Sequence, residues 1–414
     1  MANCLQQRFA PALSPTSIEN QKEVDNTDDN IIFLKNSFLN HFQDLKDPRI
    51  DRTKDHLLID IIAISILAVI SGADGWTAIE TYGRAKEQWL RKFLELPNGI
   101  PSHDTISRVF QRLNPEEFAA SFSSWINLIV QKLGAEVIAI DGKTLKQSYD
   151  RNSFQKALHI VRAWDNNNKL VLGQKKVDSK SNEITAIPAL LETIDIAGNI
   201  ITIDAMGTQK KIAQLIIKKK ADYILALKGN QKKLHKQVED WFKEAKNNNF
   251  TGIEYSYHSQ IEAGHHRIEK RQIYSVPISL LPALHNQNKW QGLKTVIMVV
   301  SERQLWNKTT NDVKFYISSL ISNAQVLSQG IRSHWGIENT LHWSLDVTFS
   351  EDKSRIRKDN APENFALLRK LALNLLNQEK TTKASNKMKR YRAAMDNEYL
   401  LKILKAPGFK SDNI

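Results

Sequence analysis

VIAIDGKTL (137–145) and NIITIDAMG (199–207) decide how this chain is read. In each, a run of β-branched and other apolar residues leads into an aspartate, Asp141 or Asp204, and small residues follow at once. Branched side chains sit well on a pleated surface, so both runs are expected as strands. A strand that delivers a carboxylate at its C-terminal tip, twice in one chain, is a way to build a magnesium site. Magnesium takes near-octahedral oxygen ligands and is held by one or two carboxylates together with substrate phosphate. Two such ions ~4 Å apart activate an attacking oxygen and stabilise a leaving one. Gly142 and Gly207 follow the aspartates within three residues and are expected to let a phosphate backbone approach closely. Either aspartate alone is more often a turn former or helix cap. Their recurrence is the signal.

Around these segments the chain alternates regularly. ALHIVRAW (157–164) and LVLGQKKV (170–177) are short β-branched runs separated by the turn-rich KQSYDRNSF and DNNNK. NEITAIPALLETI reads as a helix, NIITID (199–204) as a strand, TQKKIAQLIIKKK (208–220) as a helix and DYILAL (222–227) as a strand. Three strands, a helix, a strand, a helix and a strand is the order of a ribonuclease-H-like core. The crossover helices imply parallel pairing of the later strands. In such a sheet the C-terminal strand edges line the ligand crevice. Residues 228–330 then mix the helix QKKLHKQVEDWFKEAK with the strand-like EYSYHSQ, RIEKRQIYSV, KTVIMVVSERQLW and KFYISSL.

Upstream the texture is helical. FLKNSFLNHFQDL, WTAIETYGRAKEQWLRKFLEL and PEEFAASFSSWINLIVQKL repeat apolar residues at helical spacing. LLIDIIAISILAVI (57–70) is too short for a bilayer, which takes ~20 residues, and reads as a buried helix ending near Ser71 and Gly72. In IPSHDTISRVFQRL (100–113), Ser102 is placed to cap a helix that buries Ile106, Val109 and Leu113 and exposes His103, Arg108 and Arg112. That helix suits a DNA groove or the solvated face of a bundle equally well. Asn360 and Glu363 have capping-box spacing at the start of NAPENFALLRKLALNLLN.

The hydrophobic fraction of 41% and charged fraction of 25% are those of a soluble globular protein. The single cysteine, Cys4, excludes a disulfide framework, and no basic segment leads into an apolar run at the N-terminus. A cytoplasmic, nucleoid-associated setting with no membrane contact is expected. The net charge of +13, from 58 Lys and Arg against 45 Asp and Glu, fits a polyanionic partner as well as a merely basic surface.

The third acid comes from RSHWGIENTLHWSLD, where His334, Glu338 and His342 share one helical face at i, i+4 and i+8. Glu338 would complete a metal cage. His-Glu-His as a zinc site competes with that reading, as does an ordinary amphipathic helix packing Trp335 and Trp343. Asp346, Glu351 and Asp352 are alternative acids nearby.

At these residues the sequence resembles insertion-sequence transposases of the Asp-Asp-Glu type, nearest the H-repeat-associated subgroup. The resemblance lies in DPRIDRTKDHLLIDIIAISILAVISGADGW, IAIDGKTL, ALHIVRAW, ITIDAMGTQ, ILALKGNQ, GHHRIEKR, HWGIENTLHW and LDVTFSEDKSRIRKDNAPEN, from about residue 37 to 377. It implies an α/β fold: a ribonuclease-H-like catalytic core with a mainly β insertion, preceded by an all-α N-terminal domain. The expected boundaries are a disordered tail at 1–30, the helical DNA-binding domain at 31–133, the catalytic domain at 134–380 with its insertion at about 245–322, and a basic helical tail at 381–414. The resemblance implies magnesium-dependent cleavage and strand transfer, with manganese tolerated. Asp141, Asp204 and Glu338 would be the catalytic and metal-holding acids. The implied partners are double-stranded DNA, as terminal inverted repeats and target, and a second copy of the chain on that DNA. A domesticated DNA-binding protein and a structure-specific nuclease of the same fold are the alternatives.

The chain departs from related transposases around the last acid. Ile331 stands at their Tyr position, His334 at their Arg position, and Leu345 and Asp346 in their Lys region. Residues expected to clamp phosphate are Lys143, Arg108, Arg112, Lys210, Lys211, Lys228, Arg267, Arg332, His334, Arg355 and Arg357. Trp335 and Trp343 are expected mainly as core residues, with base stacking as the other role.

Overall fold

The structure, a computed structural model, describes residues 26–122, 136–149, 156–178, 181–264 and 266–405. Most of the tail expected at 1–30 lies outside these residues, and Asn26 already opens α1 (Asn26–Phe33). Helices follow as expected: α2 (Leu58–Ile70), α3 (Trp76–Leu90), α4 (His103–Arg112) and α5 (115–122). The remainder of the helix expected at 115–133 lies outside the described residues. Thirteen mostly apolar residues make α2 buried nearly all round; it closes at Ser71, and Gly72 takes φ +109°, open to glycine. Ser102 caps α4 by accepting from the Thr105 amide at 3.3 Å, and Ile106, Val109 and Leu113 are fully buried.

β1 (Val137–Thr144) pairs antiparallel with β2 (His159–Asp165), and β2 antiparallel with β3 (Leu170–Lys176). On its other edge β1 runs parallel to β4 (Ile200–Ile203), and β4 parallel to β5 (Asp222–Leu227). The crossovers pass through α6 (Glu183–Glu192) and α7 (Lys210–Lys218), as expected from the sequence. After α8 (Lys232–Asn247) come β6 (Ser256–Gly264), β7 (Arg267–Pro277), β8 (Thr295–Leu305) and β9 (Lys308–Ser318). These join the same sheet, β9 lying antiparallel to β5, in the order β3-β2-β1-β4-β5-β9-β8-β7-β6. The fold is mixed α/β around one large sheet.

Strand alternation sorts the two faces. Ile224 packs with Ile273, Ile297 and Val299 under Ala324, Leu327 and Ile331 of α9 (Ala324–Gly336). Tyr223 and Leu225 point the other way, into the main core with Ile212 and Ile216 of α7. From α9 the rod continues through a π turn (Ile337–His342) into α10 (Trp343–Thr348).

α11 (Ala361–Gln378) binds the N-terminal helices into this core. Trp76 stacks on Phe110 at 5.3 Å and meets Phe365 edge-on at 5.0 Å. The Asn364 side-chain amide donates to the carbonyls of Phe110 (2.8 Å) and Leu113 (2.9 Å). The capping box expected at Asn360 and Glu363 does not form. Asn360 has helical backbone angles (φ −83°, ψ −5°), and its side chain reaches the Leu113 carbonyl instead.

The basic stretch expected as a helical tail at 381–414 is helical, and part of it packs against the core, where it is described. It forms α12 (Asn386–Met395) and α13 (Asn397–Leu404), whose Leu400, Ile403 and Leu404 are fully buried. Arg390 donates to the carbonyls of Val69 (3.0 Å) and Ala73 (3.3 Å) at the C-terminal end of α2, where helix carbonyls attract a cation.

Candidate active site

β1 and β4 stay in parallel register from Val137 opposite Ile200 to Ile140 opposite Ile203, and the next residue on each chain is an aspartate. β4 stops there, so Asp204 follows a strand end as expected. β1 does not stop: it runs through Asp141 to Thr144 against β2. Asp141 is therefore a mid-strand residue placed where its parallel neighbour ends. Asp204 Oδ1 accepts from the amides of Met206 (3.0 Å) and Gly207 (3.2 Å), which folds the turn around it.

The glycines beside these acids serve a different purpose from the one expected. A Cβ on Gly142 would lie 2.0 Å from Glu183 Oε1 and 2.8 Å from His159 Nε2. One on Gly207 would lie 2.3 Å from Ile203 Cγ2. The space is filled by protein side chains, leaving none there for a phosphate.

His334, Glu338 and His342 do share a face. His334 Nδ1 lies 3.0 Å from Thr202 Oγ1 on β4, and His342 Nδ1 lies 3.7 Å from Asp141 Oδ2 on β1. Glu338, exposed on the π turn between them, lines a cleft of about 400 Å³ with Asp204 and Lys228. π turns inside helices recur at functional sites. The histidines reach different strands, so no zinc set is assembled. Among the described residues no group of three or more His, Cys, Asp or Glu side chains stands where it could hold a metal ion.

The alternative acids are engaged elsewhere. Glu351 and Arg162 form a fully buried two-pronged pair at 2.7 and 3.0 Å. Asp352 meets Lys146 at 3.0 Å, and Asp346 is ion-paired to Lys143. Asp346 thus meets its cation from β1.

The charges of both other acids bear on Asp141. Burial, then the charge of Asp204, pushes the Asp141 carboxyl up to about 7. The Gly142 amide opposes this, and Glu338 and Glu183 add to it. Asp204 is raised by burial and by Glu183, against the amides of Gly207 and Met206 and the Lys228 ammonium. Burial lowers His334 to about 4, and burial with the charges of Arg162 and Lys143 lowers His342 to about 3. Both rings are neutral at neutral pH, so His342 and Asp141 are not an ion pair. Glu183 and His159 escaped sequence reasoning. A glutamate in the first turn of a helix is an ordinary partner for its dipole, and His159 sits inside a strand with no spacing to flag it.

The expected DNA contacts divide into two groups. Arg108 and Arg112 are exposed on α4, Lys211 at the start of α7, Arg355 beyond α10, and Lys228 at the cleft beside Asp204; Lys210 is half-buried. Others are matched within the chain. Arg332 pairs with Glu262 at 2.7 Å and Arg267 with Glu269 at 3.1 Å. Arg357 donates to the Gln147 carbonyl at 2.9 Å and lies 4.9 Å from the Tyr149 ring centre.

Beside Glu338, Arg267, Arg303, Lys314 and Arg332 line a hollow of about 840 Å³. Lys314, Arg271 and Arg332 stand 5.2, 5.3 and 5.9 Å from the Trp335 ring centre, within cation–π range. Sequence analysis missed Arg271, Arg303 and Lys314. Their signal was period-two charge on strands that read as plain β. Trp343, expected in the core, is 59% exposed.

Residues 132–375 match the family described as "Transposase DDE domain", and residues 39–126 match the one described as "DDE_Tnp_1-associated". The protein named "H repeat-associated putative transposase YhhI", from Escherichia coli strain K12, is 40% identical over 374 residues, covering 89% of this chain and 98% of that protein. "Putative transposase YncI" of Escherichia coli O157:H7 is 40% identical over 385 residues, 91% of this chain and 97% of that one.

Proposed function

This chain belongs to the family of transposases with a DDE domain, and we propose that it cuts and joins DNA with Asp141, Asp204 and Glu338 holding magnesium. The observation that carries the proposal is the register. Asp141 and Asp204 fall at the same level on two parallel strands, and Glu338 faces them from the helical rod across the sheet. The order β3-β2-β1-β4-β5, antiparallel then parallel, supports a ribonuclease-H-like core.

The donors suit a hard cation. They are carboxylate oxygens, and burial with mutual repulsion holds Asp141 near pH 7, so a divalent ion relieves charge left unmatched there. Bound at these acids, two magnesium ions, or manganese in their place, would activate an attacking oxygen and stabilise the departing one. The chain's own groups supply the positioning. The Met206 and Gly207 amides aim Asp204, neutral His342 faces Asp141, and the Lys228 ammonium awaits a phosphate at the cleft.

The partner is double-stranded DNA, first the inverted repeats of an element's ends and then a target, gripped further out by Arg108, Arg112, Lys211 and Arg355. Synapsis of two ends calls for two copies of the chain. The test uses the full-length chain and a duplex carrying the element's end. We expect magnesium-dependent nicks with 3′-hydroxyls and joined products, abolished by EDTA and by Asp141→Asn. Wild-type cleavage by Asp141→Asn would sink the proposal. Nicks without joined products would make the protein a nuclease on this fold.

A further inference from the structure

Strand alternation builds the hollow beside Glu338. Ile273 of β7 packs under α9, so Arg271, Glu269 and Arg267, at every second position, continue that same face beyond the apolar patch. The ladder sets Arg303 of β8 directly opposite Glu269. It sets Lys314 of β9 opposite Val299, which is itself opposite Ile273. Lys314, Trp335 and Glu338 line both this hollow and the cleft that contains Asp204, so the two spaces adjoin.

One carboxylate stands among these cations. Glu269 meets Arg267 at 3.1 Å and Arg303 at 3.8 Å, and it is ion-paired to Arg271 as well. Its side chain is 13% exposed, whereas those of Arg267 and Arg303 are 41% and 49% exposed. Three guanidinium groups around a single carboxylate leave positive charge in excess. The neighbouring acids are committed elsewhere. Glu262 takes Arg271 at 3.2 Å and Arg332 at 2.7 Å, which ties β6 to α9, and Asp312 meets Lys314 at 3.3 Å.

A guanidinium fork grips a carboxylate and a phosphate with the same geometry. Glu269 therefore occupies a place that suits a backbone phosphate. Exposed ion pairs are weak in water, and a DNA phosphate brings with it the release of condensed counterions. Arg267 and Arg303 are thus open to exchange, while the less exposed Arg271 has Glu262 as a second partner.

We propose that this hollow is a phosphodiester subsite filled by exchange: a phosphate of DNA lying in the cleft displaces Glu269 from Arg267 and Arg303. Glu269 is a resident competitor, which holds the arginines in place and weakens binding of DNA that does not reach into the hollow. The inference rests on the DNA-cutting activity proposed above and gives that DNA a path across β7 and β8.

The test measures binding of a labelled end duplex to the full-length chain by fluorescence anisotropy in EDTA, so that metal plays no part. Glu269→Gln removes the competitor and should tighten binding by about threefold, the scale of an exposed ion pair. Glu302→Gln is the control of equal charge. It lies across from Lys270 on the opposite face of the same strands and should tighten binding much less. In an Arg303→Gln background the gain from Glu269→Gln should shrink, because it acts through the guanidinium. Arg303→Gln alone, an exposed change that spares the fold, should lower the slope of log K against log salt by about 0.9. Equal binding by Glu269→Gln and Glu302→Gln, an undiminished gain in the Arg303→Gln background, or a wild-type slope in Arg303→Gln overturns the inference. Cutting by wild type with magnesium separates the two failures. If wild type cuts while Glu269→Gln gains nothing over Glu302→Gln, only the subsite falls; if wild type neither binds nor cuts the duplex, the DNA-cutting activity falls with it.

Discussion

Two groups of charges lie close together in this molecule and are treated in opposite ways. In the seam beneath the sheet three carboxylates each meet a cation. Glu351 grips Arg162 with two bonds, Asp74 meets Arg390 at 2.9 Å, and Glu379 meets Lys389 at 3.4 Å. At the end of β4, the charge of Asp204 bears on Asp141, with Glu338 and Glu183 adding to the repulsion, and Lys228 is the cation bearing on Asp204. Arg162 stands directly opposite Asp141 on β2, yet its guanidinium is committed to Glu351. The magnesium-holding role proposed for these acids draws on that unmatched charge.

The sharpest way to break this contrast is to remove one acid from the unmatched group. Asp141→Asn, Asp204→Asn and Glu338→Gln should each lower end cleavage by about a thousandfold or more, the scale of losing one group that stabilises developing charge. Single-turnover nicking with magnesium measures it. Retained activity in Glu338→Gln alone would move the third acid elsewhere. Removing a member of the matched group should strike stability first. Arg162→Met leaves Glu351 buried and unpaired and should cost about 3–5 kcal/mol. Adding Glu351→Leu should recover most of it, as read by denaturant unfolding. A full cost that persists in the double variant would mean that packing, and not charge, holds the seam.

How visible this contrast was in the sequence depends on the range of the interactions. The order of strands and crossover helices was legible because period-two and helical spacings are local, and Asp141 and Asp204 followed from their strands. α4, with its Ser102 cap and buried Ile106 and Val109, was legible for the same reason. Glu183 was not. Only the sheet register brings β1, β2 and α6 together, and a first-turn glutamate has the same spelling whether it faces solvent or turns in to meet His159. The continuation of β1 past Asp141 was hidden too, because pairing with β2 overrides the break suggested by Gly142. The packing of α12 and α13 escaped because Arg390 and Lys389 read as surface charge until α2 and Glu379 are placed against them.

A smaller effect should appear in the pH dependence of stability without metal. Asp141 is held near 7 in the fold against its ordinary 3.8, so the native state binds that proton more tightly than the unfolded chain. The sign follows directly. Its contribution is fully present below about pH 4 and is lost as pH rises towards 7. At ~1.4 kcal/mol per pH unit, the loss is at most a few kcal/mol. In EDTA, wild-type stability should fall over this window more steeply than that of Asp141→Asn, and the variant should be the more stable of the two at pH 8. Magnesium should stabilise wild type at pH 8 and have much less effect on the variant. Parallel pH curves for the two proteins would mean that the charge at Asp141 is already matched.

The smallest expected effect concerns Lys228, the one cation at the cleft named both by sequence and by position. Its ammonium is exposed beside Asp204, and among the described residues it makes no ion pair within 4 Å of a carboxylate. If it holds a phosphate, Lys228→Gln should reduce the slope of log K against log salt by about 0.9, the share of one phosphate contact. Arg332→Gln supplies the contrast, because Arg332 is already bound to Glu262 at 2.7 Å. Its removal should change the slope less than that of Lys228. Fluorescence anisotropy of a labelled end duplex over a range of potassium chloride reads both. Equal slopes in Lys228→Gln and wild type would leave Lys228 as a countercharge to Asp204 alone, and the cleft would then have to take its phosphate from the metal side.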